Sequence, residues 1–396
     1  MSRNRVLAGF SFNEERDKDG GKMILYIMVA AVAVIMAGII NTTRPAAYGQ
    51  AKTENTGTRR QMLNKAALVF VFVLLFAVSA LRFRVGNDYN TYVETMHLLQ
   101  FMPSYTTTEI GFNLLVGLIY GLSGYENYLL VFAVFALATI ALFMYAIYRD
   151  SENFLFSFFL FMAFGYYYQS FSSVRYYLAV ALALWAIPLV LQKKWLPFVL
   201  VVLLGATFHK SLLVVIPLYF LASLAWKKWM LVALACFCTT FFFLQDVYLR
   251  LLVSLYPAYR GTAFLAGGTS IVNIVRCGGI LVLSLIYYRQ AIKDHLRNRF
   301  YFYCNAGAFV IYTCCSFVPE VSRIAYYLSV THIFFLPAVI RRIADKKQRW
   351  FFTIAIVAAA LLYFAMYLYK APNDGVRVLP YQTFLFADRI VVRDLD

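Results

Sequence analysis

Long apolar runs separated by short polar segments recur along the whole chain. A run of about 20 apolar residues is long enough to cross the roughly 30 Å hydrocarbon core of a bilayer as an α-helix. Membrane β-strands are about ten residues long and alternate in character, whereas these runs are continuous. The pattern therefore predicts an all-α, polytopic integral membrane helix bundle with about 12 transmembrane helices. The predicted spans are 23–40, 64–81, 126–148, 154–169, 175–191, 195–208, 211–225, 229–245, 271–288, 300–318, 324–340 and 350–369.

One apolar stretch, 110–122, is shorter than the others. Its length of about 13 residues is too small for a comfortable span, so we expect a re-entrant or half-buried helix there. The spacing of Gly117 and Gly121 predicts close packing of this helix against a neighbour. The predicted domains are a polar N-terminal segment (1–22), a single transmembrane domain (23–369) and a polar C-terminal tail (370–396).

Composition supports a membrane protein, because only 14% of the residues are charged and 62% are hydrophobic, whereas soluble domains carry about 25% charged residues. The net charge of +17 lies mainly in short loops, where it orients the protein and contacts anionic lipid rather than nucleic acid. The basic loops predicted to be cytoplasmic are 192–194, 227–228, 289–299 and 341–349. Alternation then places 170–174, 209–210, 246–270, 319–323 and the C-terminal tail outside. Loop 41–63 is also expected to be cytoplasmic, which places 82–109 outside.

Polar residues next to the apolar runs gather on this predicted outer side. They are Asp88, Glu109, Arg175, His209, Lys210, Arg276 and Arg323. Cations on the outer face oppose the positive-inside tendency, so an external anion is a natural explanation for them. A charge near a membrane-spanning segment is tolerated most readily where function requires it.

Each of these residues also has a structural interpretation. Arg175 and Arg323 are placed to extend their charged ends toward the interface. His209 suits a solvated turn, and Asp88 follows a glycine and an asparagine as turn residues often do. Tyr89 and Tyr92 are typical of the aromatic belt at a membrane surface. Because all of these residues are predicted to lie on one side of the membrane, a functional site is favoured over these separate explanations.

The chemistry that this set of residues favours is glycosyl transfer from a lipid diphosphate. Asp88 or Glu109 is expected to deprotonate a sugar hydroxyl. Cationic side chains would neutralise the diphosphate leaving group, and Tyr89 and Tyr92 would bind sugar faces. The predicted catalytic residues are Asp88, Glu109, Arg175 and His209, and the predicted substrate-binding residues are Tyr89, Tyr92, Lys210, Arg276 and Arg323. The sequence contains no nucleotide-binding glycine loop, and we expect neither a cofactor nor a metal.

Four stretches of the chain resemble the EpsG family, the Wzy-like membrane proteins that polymerise bacterial exopolysaccharide and capsule repeat units. They are RVGNDYNTY at 84–92, EIGF at 109–112, VRYYLAVA at 174–181 and ATFHKS at 206–211, with a weaker fifth, SRIAYY at 322–327, followed by Pro337. The resemblance covers roughly residues 65–340. The chain departs from the family pattern at Asn87, where a small hydroxyl residue is usual, and at Tyr176, where glutamine is common.

The resemblance implies a polymerase that moves a growing chain from undecaprenyl diphosphate to the next lipid-linked repeat unit on the outer leaflet of the bacterial cytoplasmic membrane. It also implies a bundle similar to the GT-C-like membrane glycosyltransferases, with lipid-linked oligosaccharide as substrate and with a flippase and a chain-length regulator as partners. Between the two carboxylates, Asp88 is favoured over Glu109 as the base.

Two alternatives remain from the sequence. Another polyprenyl-phosphate-dependent glycosyltransferase or ligase would use the same site and differ in its acceptor. A flippase for lipid-linked oligosaccharide would instead place charged residues along a path between both leaflets. The charges on the predicted inner side lie in ordinary basic loops, so the flippase is the less favoured reading.

Overall fold

A computed structural model describes residues 23–40, 58–103, 106–255, 270–316, 318, 321–373 and 375–387. These residues form helices and no β-strand, apart from one isolated bridge between Arg82 and Thr383. The prediction of an all-helical protein is therefore confirmed for the described part of the chain. The helices are α1 (Met23–Ala37), α2 (Thr58–Ala80), α3 (Tyr89–Phe101), α4 (Ile110–Ser123), α5 (Tyr128–Asp150), α6 (Phe154–Ala163), α7 (Tyr166–Gln169), α8 (Val174–Leu191), α9 (Trp195–Ala206), α10 (Val215–Ser223), α11 (Lys228–Phe243), α12 (Gln245–Leu255), α13 (Ile271–Ile286), α14 (Tyr288–Ala291), α15 (Leu296–Cys314), α16 (Val321–Ser329), α17 (His332–Arg341) and α18 (Lys346–Lys370).

Five helical stretches within the described residues are long and apolar enough to cross a membrane. They are Arg59–Ala80, Tyr128–Asp150, Val174–Leu191, Val321–Arg341 and Lys346–Lys370. A sixth is reached if α11 and α12, which bend by 84° at their junction, form one span. Each of the twelve predicted spans contains a helix, but several of these helices have only 10–17 residues. The count of twelve spans stays a prediction.

Local sequence signals explain several helix boundaries. Asn127 and Asn153 precede α5 and α6, and their side chains accept hydrogen bonds from the backbone N–H groups of Leu130 (3.1 Å) and Phe156 (3.0 Å). Such caps satisfy N–H groups that the first helical turn leaves without partners. Helix α4 ends at Gly124, whose φ of 74° lies in the left-handed region that glycine adopts at low energy.

The described residues divide into two compact units. The first unit comprises those within Met1–Ala181, Thr207–His209 and Thr353–Asp396, and the second comprises those within Leu182–Ala206 and Lys210–Phe352. The single transmembrane domain predicted over 23–369 stays a prediction.

The first unit is built around buried tyrosines whose hydroxyls bond to backbone carbonyls. Helix α2 packs against α5, and α3 packs against α4. The hydroxyl of Tyr167 donates to the carbonyl of Leu75 (2.7 Å), and that of Tyr168 donates to the carbonyl of Tyr26 (2.6 Å). Buried phenols need such partners, since an unsatisfied hydroxyl would oppose burial of the ring.

The described part of the C-terminal tail packs into the first unit. The backbone N–H groups of Phe83 and Gly86 donate to the carbonyls of Gln382 (2.9 Å) and Arg377 (2.7 Å). Val378 is fully buried, and its carbonyl accepts from the hydroxyl of Tyr26 at 2.6 Å. The tail therefore holds the polar segment that precedes α3.

The second unit is centred on α15, which packs against α10, α13, α16 and α17. A buried hydrogen-bonded chain runs through it. His332 Nε2 and Asn305 Oδ1 lie 2.8 Å apart, and Asn305 Nδ2 donates to the carbonyl of Cys277 at 3.1 Å. These hydrogen bonds satisfy both amide atoms of Asn305 and one ring nitrogen of His332, as is usual for buried polar groups.

The predicted tight packing of Gly117 and Gly121 is wrong for the described residues. A Cβ atom added at either glycine would meet no atom within 4 Å. Helix α4 also exposes large apolar side chains: Leu114, Leu118 and Leu122 are 60–81% exposed, and Ile110 is 65% exposed. Small residues at this spacing permit a close approach but do not by themselves bring a partner helix.

Candidate active site

The Asp88 carboxylate lies immediately before α3 and accepts a hydrogen bond from Ser173. Ser173 Oγ donates to Asp88 Oδ2 at 2.6 Å. Asp88 occupies the N-cap position, yet its side chain makes no capping hydrogen bond. The carboxylate is thus directed toward the start of α8 instead of serving the usual role of an acidic residue at a helix N-terminus.

Gly86 explains why this polar segment lies so close to α8. Its φ of 111° is a conformation that favours glycine. A Cβ atom at this position would overlap the backbone carbonyl of Phe171. Only glycine therefore fits, and the approach it permits brings Asp88 within hydrogen-bond distance of Ser173.

Arg175 forms an ion pair with Glu109 and lies against two aromatic rings. Arg175 Nη1 donates to Glu109 Oε2, and the two side chains are 18% and 14% exposed. The guanidinium carbon lies 5.0 Å from the ring centroid of Phe112 and 5.4 Å from that of Tyr92. Arg175 Nε is buried without a hydrogen-bond partner among the described residues. The ion pair holds the arginine, whose side chain is partly exposed, in place beside the two rings.

His209 reaches the same place through a close contact between α4 and the segment 207–209. The N–H of Gly111 donates to the carbonyl of Thr207 at 2.8 Å, and a Cβ at Gly111 would overlap the Thr207 side chain. The ring of His209 then lies edge-on to Tyr176, with centroids 5.4 Å apart. The departure from the family pattern at Tyr176 thus supplies a ring that contacts the histidine.

Three residues at or immediately before the start of α8, within 173–176, therefore connect the four predicted catalytic residues. Ser173 binds Asp88, Arg175 pairs with Glu109, and Tyr176 contacts His209. The residues lie far apart in the sequence but meet within the first unit. The cluster combines two carboxylates, a guanidinium and an imidazole, which are suitable for proton abstraction and for binding of an anionic leaving group.

The ring faces of Tyr89 and Tyr92 do not fit the sugar-binding role predicted for them. Tyr89 is 3% exposed and stacks on Phe132 with centroids 4.6 Å apart. Tyr92 is 7% exposed and packs against Phe112, Phe132 and Arg175. Burial raises the pKa of both phenols, so they stay neutral. The two tyrosines support the site from inside the protein.

The remaining predicted substrate-binding residues belong to the second unit. Arg276 on α13 is half-buried, and its Nη2 lies 3.5 Å from Ser329 Oγ. Arg323 on α16 is also half-buried, whereas Lys210 is exposed at the start of a short 3₁₀ turn, Lys210–Val214. Their roles in binding stay predictions.

The sequence did not single out two residues of this region. Ser173 was one of several serines after the tyrosine run, and nothing local marked it as the partner of Asp88. Arg82 is 1% exposed, and its guanidinium carbon lies 5.2 Å from the ring centroids of both Phe132 and Phe171. A signal for Arg82 did exist, because it is the first charged residue after a long apolar run.

Comparisons with known proteins give one match. The model of the EpsG family matches residues 65–383. This match extends beyond the range 65–340 that the motifs suggested, and it includes the part of the tail that packs against the site. No curated protein and no solved structure matches the chain, so the similarity to GT-C-like glycosyltransferases stays a prediction.

Proposed function

The chain belongs to the EpsG family, and on this premise we propose that it polymerises lipid-linked oligosaccharide repeat units into an extracellular or capsular polysaccharide. The donor would be the growing glycan on undecaprenyl diphosphate, and the acceptor would be the next lipid-linked repeat unit. The reaction would take place at the outer leaflet of a bacterial cytoplasmic membrane. The family supports the class of reaction, and the remaining details belong to this proposal.

The observation that carries the proposal is the arrangement around residues 173–176. A carboxylate, Asp88, is held by one hydroxyl. An arginine, Arg175, is oriented by a second carboxylate and retains an N–H without an acceptor among the described residues. A base and an oriented cation side by side are the two groups that transfer from a diphosphate requires.

In the proposed reaction Asp88 removes the proton from an acceptor hydroxyl as that oxygen attacks the anomeric carbon of the donor sugar. The bond between this carbon and the diphosphate oxygen breaks, and the diphosphate leaves with the electron pair. Arg175 and His209 would stabilise the charge that develops on the leaving oxygen. Glu109 keeps the guanidinium in place, since an arginine fork and a carboxylate match in geometry.

Further components of the proposal come from the second unit and from other proteins. The substrate-binding roles predicted for Lys210, Arg276 and Arg323 remain part of this proposal. A flippase would supply the lipid-linked repeat unit, and a chain-length regulator would limit the product.

The experiment expresses Asp88→Asn in a host whose own polymerase has been deleted. We expect accumulation of the lipid-linked single repeat and loss of polymer, because general-base catalysis contributes about 10²–10⁴-fold. Glu109→Gln, tested beside it, should retain more activity if Asp88 is the base. The readout is gel analysis of polysaccharide length, normalised to the amount of protein in the membrane.

Glu94→Gln is the matched control, because Glu94 is an exposed carboxylate on the same helix, α3. This variant should give polymer of normal length. Full-length polysaccharide from Asp88→Asn would refute the proposed role of the carboxylate. If the polysaccharide instead keeps its chain length but lacks a side-branch sugar or is not attached to its acceptor, the protein is a side-branch transferase or a ligase.

A further inference from the structure

A cavity lies in the first unit, outside the cluster around residues 173–176. It has a volume of about 920 Å³ and is lined by the C-terminal halves of α3 and α4 and by the turn that follows α4. Gly117 and Gly121 form part of its wall, and the absence of side chains there leaves the space open. Ligand pockets typically measure about 300–1,000 Å³, so this cavity is large enough for a substantial ligand.

Beside the cavity, one buried hydroxyl has no hydrogen-bond partner among the described residues. Tyr120 is 5% exposed, and its hydroxyl makes no hydrogen bond to any described residue. Buried polar groups are normally hydrogen-bonded, and leaving one unsatisfied costs about 1–3 kcal/mol. The oxygen itself is enclosed, so a hydroxyl group of a ligand would satisfy it once the side chains around it move aside.

The other polar groups of the wall suit a neutral, hydroxyl-rich ligand. His97 Nδ1 lies 2.9 Å from Glu126 Oε2, and Gln100 adds an exposed amide. The described residues that line the cavity include one carboxylate and no lysine or arginine. Glu126 would repel a phosphate group, whereas carboxylate, imidazole and amide groups together donate to and accept from sugar hydroxyls.

Exposed aromatic rings complete the lining. Phe101 and Tyr125 are 62% and 65% exposed and border the cavity. Aromatic rings offer flat apolar surfaces to the C–H face of a sugar ring, and a tyrosine adds a polar end. The combination of ring faces with hydroxyl-binding groups distinguishes this wall from a lipid-facing groove.

Both helices of the cavity begin at the candidate active site. Asp88 immediately precedes α3 and Glu109 immediately precedes α4, while the cavity is formed by the other end of each helix. At a rise of about 1.5 Å per residue, the cavity residues lie roughly 14–18 Å along the helices from the two carboxylates. A chain of a few sugars would cover that distance.

We propose that this cavity is a saccharide subsite that binds a neutral segment of the glycan at a distance of a few sugars from the reacting end. The identification of the ligand as a glycan substrate rests on the proposed function. Binding there would retain the polymer between successive additions. The subsite would thus increase the length of the product and lower the KM for long substrates, with little effect on the rate of the chemical step.

The test measures direct binding to the purified full-length protein in nanodiscs. The probe is the phosphate-free oligosaccharide that mild acid releases from the host's own lipid-linked repeat unit. Its binding is measured by calorimetry. Tyr120→Phe removes one oxygen and should weaken binding about 3- to 10-fold, the effect of one lost hydrogen bond. Gly121→Phe should fill the open space and abolish cavity binding. In cells both variants should shorten the polymer.

Leu122→Phe is the matched control, because Leu122 follows Gly121 in α4 and is 81% exposed but does not line the cavity. It should bind the oligosaccharide as the wild type does. Inorganic diphosphate, the second probe, should bind with the same affinity to the wild type and to Gly121→Phe.

Two results would overturn the subsite. One is equal oligosaccharide affinity of the wild type and Gly121→Phe, and the other is diphosphate binding that Gly121→Phe removes. The proposed polymerase activity has its own test, since full-length polymer from Asp88→Asn would refute it. Loss of oligosaccharide binding in Gly121→Phe would support the subsite even then.

Discussion

Two arginines in the first unit have similar surroundings but different partners. Arg175 lies over Tyr92 and Phe112 and pairs with a carboxylate, Glu109, with both charged side chains partly exposed. Arg82 lies between Phe132 and Phe171 and is 1% exposed. Arg82 Nη1 donates to the carbonyl oxygen and to Oγ (3.1 Å) of Ser79, both neutral acceptors.

The two arginines differ in accessibility, because Arg175 is partly exposed and Arg82 is enclosed by the protein. Burial lowers the pKa of Arg82, because the charged form loses its hydration. Its Nε and Nη2 have no hydrogen-bond partner among the described residues, and the ring faces supply the remaining attraction. Arg175 is instead fixed by an ion pair at a partly open position. A basic residue near an apolar run thus indicates function only when its surroundings leave it accessible.

The largest expected effect is on activity, at Arg175. Arg175→Ala should lower polymer formation about 10²–10³-fold, as removal of one group that stabilises a developing negative charge does. Arg175→Lys should recover only part of the activity, since lysine keeps the charge but loses the planar fork. Polymer per lipid-linked precursor is the measurement. Arg149→Ala, which breaks the Arg149–Asp150 pair (2.7 Å) elsewhere in the unit, should have normal activity. A normal amount of polymer from Arg175→Ala would show that the accessible Arg175 is not required for the reaction.

The next effect is on stability, at Arg82. Arg82→Ala should destabilise the protein by on the order of 2–3 kcal/mol, because it leaves a cavity between two phenylalanines. Arg82→Met fills the same space without a buried charge, so its stability should lie within about 1 kcal/mol of the wild type or above it. Thermal unfolding of the detergent-purified protein, followed by size-exclusion chromatography, measures both. A methionine variant that is stable but inactive would show that Arg82 acts on the substrate.

The smallest effect is expected at Ser173. Ser173→Ala removes the hydrogen bond to Asp88 and should lower activity about tenfold, consistent with the loss of one bond to a charged group. Ser173→Thr keeps the hydroxyl and should restore most of the activity. Ser170→Ala is the control, because Ser170 Oγ donates only to the local carbonyl of Tyr167 in the described contacts. If alanine at 173 and alanine at 170 behave alike, Ser173 does not position the carboxylate.

The helices of the chain were predictable from the sequence. The apolar runs predicted the helices, because a helix depends on residues three to four positions apart. The residue types of the site and the family motifs were also visible there. Gly86 and Gly111 belong to those motifs, and the structure adds why a side chain at either position would overlap its neighbour.

Only the tertiary structure decided which groups meet. Ser173 and Asp88 are 85 residues apart, and Arg175 and Glu109 are 66 apart. No local pattern specifies such pairs, because they depend on how separate helices pack. The burial of Tyr89 and Tyr92, the packing of the tail and the open space at Gly121 were decided in the same way. The sequence thus determined the helices and the chemistry available, and packing between distant segments determined which side chains became a site, which became core and where a cavity remained.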